Sequence, residues 1–189
     1  MNEAAVHDKY EFGFWVYLMT DLMMFAALFA AYAVLRFSNF GGPTESDVFN
    51  LPFVLAETLV LLTSSFTCGL GTLAVRAGKK NAVIGWFTAT FILGATFLAL
   101  ELSEFSRLIA EGNGPQRSAF LSSYFTLVGT HGLHIAVGLL WIFLSVIYLS
   151  RRELTPAMTS KMARLALFWH FLDIVWIFIF TIVYLIGVI

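Results

Sequence analysis

The sequence predicts an all-α fold: a polytopic membrane protein whose five transmembrane helices form one bundle. Of its 189 residues, 59% are hydrophobic and only 12% are charged, and the mean hydropathy is +0.84. Soluble domains carry about 25% charged residues. The apolar residues also occur in blocks of about 20 residues, the length needed to cross the hydrocarbon core of a bilayer.

Five apolar blocks follow one another along the chain, separated by short polar linkers. Pro52 suits the first turn of the second block, where its missing N–H costs no hydrogen bond. No linker is long enough to hold a soluble domain, so residues 1–189 are interpreted as a single integral membrane domain. The predicted spans run approximately over residues 12–35, 52–75, 82–103, 120–149 and 165–188.

The distribution of Lys and Arg predicts the orientation, because cytoplasmic loops of membrane proteins are enriched in these residues. With five spans, the N-terminus and the second and fourth linkers share one side. The other side carries only Arg36, Arg107 and Arg117. The richer side carries Lys9, Arg76, Lys79, Lys80, Arg151, Arg152, Lys161 and Arg164. We therefore expect a cytoplasmic N-terminus and an external C-terminus. The net charge of −1 gives no electrostatic reason to expect nucleic acid as a partner.

Eight ionisable side chains lie within or at the end of a predicted span, and no Lys or Arg lies deep in any of them. A charge at the bilayer centre costs at least about 2.5–3.5 kcal/mol, so such groups usually have a partner or a function. The carboxylates are expected to be protonated, paired or hydrogen-bonded. This candidate intramembrane proton and hydrogen-bond network comprises Asp21, Glu57, Glu101, Glu104, His131, His134, His170 and Asp173.

The first group of these residues is expected in the cytoplasmic half. At 1.5 Å per residue, Asp21 lies ~14 Å and Asp173 ~12 Å from that end of their spans. His170 precedes Asp173 by three residues and so shares its helix face. We expect hydrogen bonds among Asp21, His170 and Asp173. A proton relay and a purely structural contact between the first and fifth helices are both open interpretations of this group.

The second group is expected in the outer half. Glu57 and Glu101 belong to the outer parts of the second and third spans, and His131 lies ~16 Å from the outer surface with His134 deeper. We expect a hydrogen bond from Glu57 or Glu101 to His131, and a solvated position at the membrane interface for Glu104.

His131 and His134 could also bind a metal or haem, because residues three apart project from one side of a helix. A metal site needs three or more converging ligands, so structural hydrogen bonding is the favoured interpretation. Soluble-type catalytic motifs, such as a phosphate-binding loop or Gly-x-Ser-x-Gly, are absent from the sequence. We therefore expect no catalytic centre, metal or cofactor in this chain.

Several of these residues belong to longer motifs. The stretch Phe168-Trp-His-Phe-Leu-Asp-Ile-Val-Trp176, the stretch Gly129-Thr-His-Gly-Leu-His134 and the pair Glu101 and Glu104 resemble the signature of haem-copper oxidase subunit III. Asp21 stands where cytochrome c oxidase members usually carry glutamate. The resemblance covers essentially the whole chain.

Within that family, other stretches resemble the branch of cytochrome bo-type ubiquinol oxidases. Five spans also fit that branch, since cytochrome c oxidase members often have seven. The stretches are Phe12-Gly-Phe-Trp-Val-Tyr-Leu-Met19, Gly-Gly-Pro-Thr at 41–44, Leu51-Pro-Phe-Val-Leu-Ala-Glu-Thr58 and Gly114-Pro-Gln-Arg-Ser118.

The resemblance implies a non-catalytic subunit III of a proton-pumping ubiquinol oxidase in the aerobic respiratory chain of a bacterial inner membrane, with its C-terminus in the periplasm. Such a subunit packs on subunit I, which holds the haem and copper, in a complex with subunits II and IV. It holds phospholipids in a cleft between helices one and two and the rest, and it supports proton uptake. The alternatives are an autonomous proton-coupled transporter, favoured by the buried acids, and a small membrane haem protein using His131, His134 or His170.

Overall fold

The structure of the chain, a computed structural model, describes residues 3–38 and 50–188. Every regular element in these two ranges is helical, and five helices are long and apolar enough to cross a membrane. The predicted fold class is therefore confirmed. The motif at residues 41–44 lies outside the described residues. The helices are α1 (Glu3–Leu35), α2 (Leu51–Arg76), α3 (Lys80–Ala110), α4 (Ala119–Arg151) and α5 (Pro156–Ile179), which continues into a π-helical segment (Phe180–Leu185) and a short turn (Ile186–Val188).

The helix ends are fixed by local sequence signals. Ser118 caps α4 by accepting a hydrogen bond from the Leu121 N–H at 3.1 Å, and Thr155 caps α5 in the same way from Met158 at 3.3 Å. Such caps satisfy N–H groups that have no partner within the helix. Gly78 takes a positive φ of 66° between α2 and α3, a conformation that glycine adopts without steric cost.

Three helices extend by more than five residues beyond their predicted spans. α1 begins at Glu3 instead of 12. α3 continues to Ala110 instead of ending at 103, and α5 begins at Pro156 instead of 165. Charged residues end an apolar block, but they do not end a helix, since Lys, Arg and Glu are good helix formers. The polar residues just after the third predicted span and just before the fifth therefore belong to α3 and α5 and not to linkers.

The packing order of the helices differs from the one that the resemblance implies. α2 packs against both α3 and α5, and α4 packs against α1, α3 and α5. A cleft that separates α1 and α2 from the other helices is therefore wrong for this chain. Small residues of α2 explain its close contact with α3. A Cβ on Gly71 would lie 2.8 Å from the Phe87 ring of α3, and the Ser64 hydroxyl donates to the Thr90 carbonyl at 3.1 Å.

Trp169 of α5 lies at the centre of the bundle, in a slot between two glycines. A Cβ added to Gly94 of α3 would come within 2.7 Å of the indole ring, and one added to Gly138 of α4 within 3.0 Å. The indole N–H donates to the Ser64 hydroxyl of α2 at 3.2 Å. The Trp169 side chain therefore connects α5 to three other helices. Its ring packs against α3 and α4, and its N–H is hydrogen-bonded to α2.

We call the end of the bundle that carries the α2–α3 and α4–α5 linkers the basic end, because it holds most of the Lys and Arg residues. The α3–α4 linker lies at the opposite end. Lys80, the first residue of α3, and Glu153 of the α4–α5 linker form a 3.3 Å ion pair at this end.

Candidate functional site

Asp21 of α1 lies against His134 of α4, with 3.8 Å between Oδ2 and Nε2. The other ring nitrogen of His134, Nδ1, lies 2.7 Å from the Thr130 carbonyl oxygen. A carbonyl can only accept, so Nδ1 carries a proton and donates it. The Nε2 atom of His134 is therefore the ring nitrogen that faces the Asp21 carboxyl group.

The Asp21–His134 pair lies against an aromatic wall. Phe25, one turn along α1 from Asp21, lies 5.3 Å from the His134 ring and 6.3 Å from the His131 ring, measured between centroids. Asp21 is 8% exposed and Phe25 is 1% exposed. The pair thus occupies a largely dry position between α1 and α4, with a small opening to the surroundings.

His170 and Asp173 of α5 face α2 instead of α1. The Nδ1 atom of His170 lies 2.7 Å from the Ser65 hydroxyl oxygen, and the Asp173 carboxylate lies beside the same hydroxyl. The predicted hydrogen bonds from Asp21 to these two residues are therefore wrong. The predicted proximity of His170 and Asp173 is correct, and their common neighbour Ser65 was missed.

The rotation of α5 explains this difference. Phe168 contacts α1 through the Tyr17 ring, at 6.3 Å. His170 follows Phe168 by two residues, which is about 200° around a helix with 3.6 residues per turn. The face that carries His170 and Asp173 therefore points away from α1. Depth along the bilayer can be estimated from a sequence, but the rotation of a helix depends on its packing.

Three glutamates come together near the end of the bundle opposite the basic end. Glu57 of α2 and Glu101 and Glu104 of α3 lie close enough to interact electrostatically, and all three are buried. Arg107 approaches Glu104 at 3.6 Å and Glu111 at 3.6 Å. The grouping of these carboxyls in one half of the bundle agrees with the prediction. The prediction of a solvated Glu104 is wrong, because α3 continues past it and holds it against the bundle.

His131 has no hydrogen bond to Glu57 or Glu101, so that prediction is also wrong. Within the part of the chain that the structure describes, neither ring nitrogen of His131 has a hydrogen-bond partner. The ring stacks on Trp176 at 5.3 Å and meets the edge of Phe97 at 6.1 Å. Phe97 of α3 therefore lies at the same height in the bundle as His131 of α4.

The register between α3 and α4 separates this histidine from the glutamates. Glu101 follows Phe97 by one turn, about 6 Å farther along α3, and interacts electrostatically with Tyr124 instead. Tyr124 lies seven residues before His131 on α4, a separation of about 10 Å.

Two buried tyrosines complete the glutamate group and were missed in the sequence analysis. The hydroxyl oxygens of Tyr124 and Tyr184 lie 3.0 Å apart, and both phenols are fully buried. Tyr184 lies in the π-helical segment, a local change of helical period that often occurs at functional sites. Tyrosine is common near the ends of membrane-spanning helices, so the sequence held no clear signal for this pair.

The candidate ligand residues do not converge. Across residues 3–38 and 50–188, no group of three or more His, Cys, Asp or Glu side chains could hold a metal ion. His131 and His134 have different surroundings although they share a helix face, and His170 lies on another helix. Seven of the ionisable residues form two separate pairs and one carboxyl cluster, whereas His131 lies apart among aromatic rings.

This arrangement defines the class of protein: a polytopic helical membrane protein whose ionisable groups are buried between its own helices. Comparison with known sequences gives the family. A family model described as cytochrome c oxidase subunit III matches residues 1–188. The chain therefore belongs to the cytochrome c oxidase subunit III family, which confirms the resemblance to haem-copper oxidase subunit III.

Curated relatives cover most of the chain. Subunit 3 of the cytochrome bo(3) ubiquinol oxidase of Pseudomonas putida is 55% identical over 93% of this chain and 85% of its own length. The corresponding Pseudomonas aeruginosa protein is 56% identical over 93% and 84%. Quinol oxidase subunit 3 of Bacillus subtilis is 43% identical over 93% and 86%.

Proposed function

We propose that this chain is the non-catalytic subunit III of a proton-pumping terminal ubiquinol oxidase that passes electrons from quinol to oxygen. The observation that carries the proposal is the identity of 55–56%, over 93% of the chain, to relatives named as subunit 3 of such an oxidase. In this proposal the chain associates with subunit I, which holds the haem and copper, and with subunits II and IV.

We further propose a multi-pass position in the bacterial inner membrane, with a cytoplasmic N-terminus and a periplasmic C-terminus. The positive-inside tendency supports this orientation, since eight of the eleven Lys and Arg residues belong to the basic end. In this orientation Asp21 and His170 face the cytoplasmic half, and the glutamate cluster faces the periplasmic half.

The role within the complex has three parts: stabilising the catalytic subunit, binding phospholipid and supporting proton uptake. The Asp21–His134 pair is the group best suited to proton uptake. In this pair the Nε2 atom of His134 and the Oδ2 atom of Asp21 face each other across 3.8 Å, while the Thr130 carbonyl holds the other ring nitrogen in place. The other intramembrane residues of the candidate network serve mainly to hold the helices together.

Oxygen consumption with excess short-chain ubiquinol tests this proposal. We expect the complete oxidase to hold its rate through repeated turnover, and the oxidase purified without this chain to start at a similar rate and then lose activity. Asp21→Asn keeps the side-chain shape and removes titration. We expect this variant to be slower than the wild type and to lose activity faster during turnover.

Glu153→Gln is the matched control, because it removes an exposed carboxylate from the basic end without touching the buried pair. Equal stability through turnover with and without the chain would exclude the stabilising role. Unchanged activity and an unchanged rate of inactivation during turnover in Asp21→Asn would exclude the proton-uptake role of the pair.

A further inference from the structure

A groove runs along the outer face of the bundle between α2 and α5. It consists of two adjoining cavities of about 490 Å³ and about 330 Å³, which share Gly69, Leu73 and His170 in their walls. The groove extends from Leu62 to Arg76 on α2, a distance of about 21 Å at 1.5 Å per residue. Its long axis thus follows the expected direction of a lipid acyl chain.

The wall of the groove is mainly apolar, although five polar residues line it: Ser65, Thr72, Arg76, His170 and Asp173. The hydroxyl of Ser65 and the Nδ1 atom of His170 are bonded to each other at 2.7 Å, and Asp173 is only 8% exposed. Leu62, Phe66 and Leu73, in contrast, are exposed along the groove. The surface offered to an occupant is therefore hydrocarbon along most of its length.

Gly69 forms the floor of the groove. A Cβ built on this residue would meet no heavy atom within 4 Å, in contrast to Gly71, whose Cβ would contact Phe87 of α3. Glycine at position 69 is therefore not explained by close helix packing inside the chain. It leaves open space where the two cavities meet.

One end of the groove carries a positive charge. Arg76 lines the cavity there, and within the described ranges it has no acidic partner. Because α2 ends at this residue, the guanidinium lies at the depth expected for phospholipid headgroups. A guanidinium forms bidentate hydrogen bonds with phosphate, and a basic residue near the membrane surface favours anionic lipid by about 1 kcal/mol.

We propose that the α2–α5 groove is a binding site for one anionic phospholipid, with an acyl chain over Gly69 and the phosphate at Arg76. This inference deepens the lipid-binding part of the proposed function and rests on it. It assigns the lipid to the outer face between α2 and α5, where the chain itself supplies both the apolar floor and the cation.

Photocrosslinking of the oxidase complex tests this site. The complex is reconstituted in phosphatidylcholine nanodiscs that contain a phosphatidylglycerol probe with a diazirine in the middle of one acyl chain. We expect adducts on the α2 and α5 peptides that line the groove. Gly69→Leu fills the floor and should abolish these adducts. Arg76→Gln should lower their yield about fivefold, the factor that corresponds to the loss of one basic contact.

Two controls separate the groove from general effects. Gly85→Leu places the same side chain at an open position of α3, where no heavy atom lies within 4 Å of the built Cβ, and it should leave the yield unchanged. A phosphatidylcholine probe with the same diazirine should give a lower wild-type yield and no further loss in Arg76→Gln. Equal yields for both probes in the wild type would overturn the headgroup assignment.

Unchanged adducts in Gly69→Leu would overturn the site itself. So would adducts that form on the isolated chain and vanish in the complex, because a neighbouring subunit would then cover the groove. The haem spectrum of the same samples separates this result from the proposed function. A sample with haem and no groove adducts contradicts only the lipid site, whereas adducts without haem contradict only the subunit role.

Discussion

Gly94→Val is expected to destabilise the bundle by about 3 kcal/mol, the upper part of the range for overpacking a core. The added Cβ alone would lie 2.7 Å from the Trp169 ring and 3.0 Å from Leu139. Trp169 cannot move aside easily, because Gly138 bounds it on another side and its N–H is bonded to Ser64. Chemical denaturation in mixed micelles, followed by tryptophan fluorescence, measures the loss.

Gly85→Val is the matched control for Gly94→Val, since it adds the same β-branched side chain to α3 at a position open to the surroundings. We expect its free energy of unfolding to change by well under 1 kcal/mol, with any change a small gain, because valine has a higher helix propensity than glycine. Equal losses in the two variants would mean that the bulk of a β-branched side chain anywhere on α3, and not the Trp169 slot, accounts for the effect.

Trp176→Ala is expected to cost about 3–5 kcal/mol, the range for removing a large buried aromatic side chain. Trp176 is fully buried, donates its N–H to the Thr58 hydroxyl at 3.1 Å, and packs on Phe97 at 4.7 Å and on His131 at 5.3 Å. Trp176→Phe keeps a ring and should cost less, since it loses about 1 kcal/mol of hydrogen bonding and part of the contact area.

His131→Phe completes this series and tests the absence of a hydrogen bond to a glutamate. Because the imidazole contacts rings and has no hydrogen-bond partner in the described part of the chain, a phenyl ring of similar shape should change stability by less than about 1 kcal/mol. The three variants are compared by the same denaturation assay. A loss in His131→Phe as large as in Trp176→Ala would contradict the aromatic packing described here.

The sequence predicted the number of helices well, because hydrocarbon thickness sets a length that five apolar blocks satisfy. It also identified the residues that are costly to bury. The ends of α3 and α5 were less predictable, since hydropathy reports where a helix leaves the membrane and not where its hydrogen bonds stop. Glu104 was assigned to solvent for that reason.

Partners of the buried groups could not be read from the sequence. His134 was assigned to the outer group, but it lies beside Asp21 of the cytoplasmic group. The rotation of each helix decides which of the residues near mid-membrane meet. That rotation follows from small residues such as Gly94 and Gly138, whose role is to admit the Trp169 ring. Ser65 gave a weak signal, as a polar residue within an apolar helix, that could have indicated a partner for His170.

The most direct test of the central claim is affinity purification of this chain, carrying a terminal tag, from mild detergent extracts of respiratory membranes. We predict that it brings down a complex with haem absorption and copper, and that the complex oxidises ubiquinol with consumption of oxygen. Recovery of the chain alone, free of haem and copper, with proton or substrate flux after reconstitution into vesicles, would contradict the subunit role and favour an autonomous transporter.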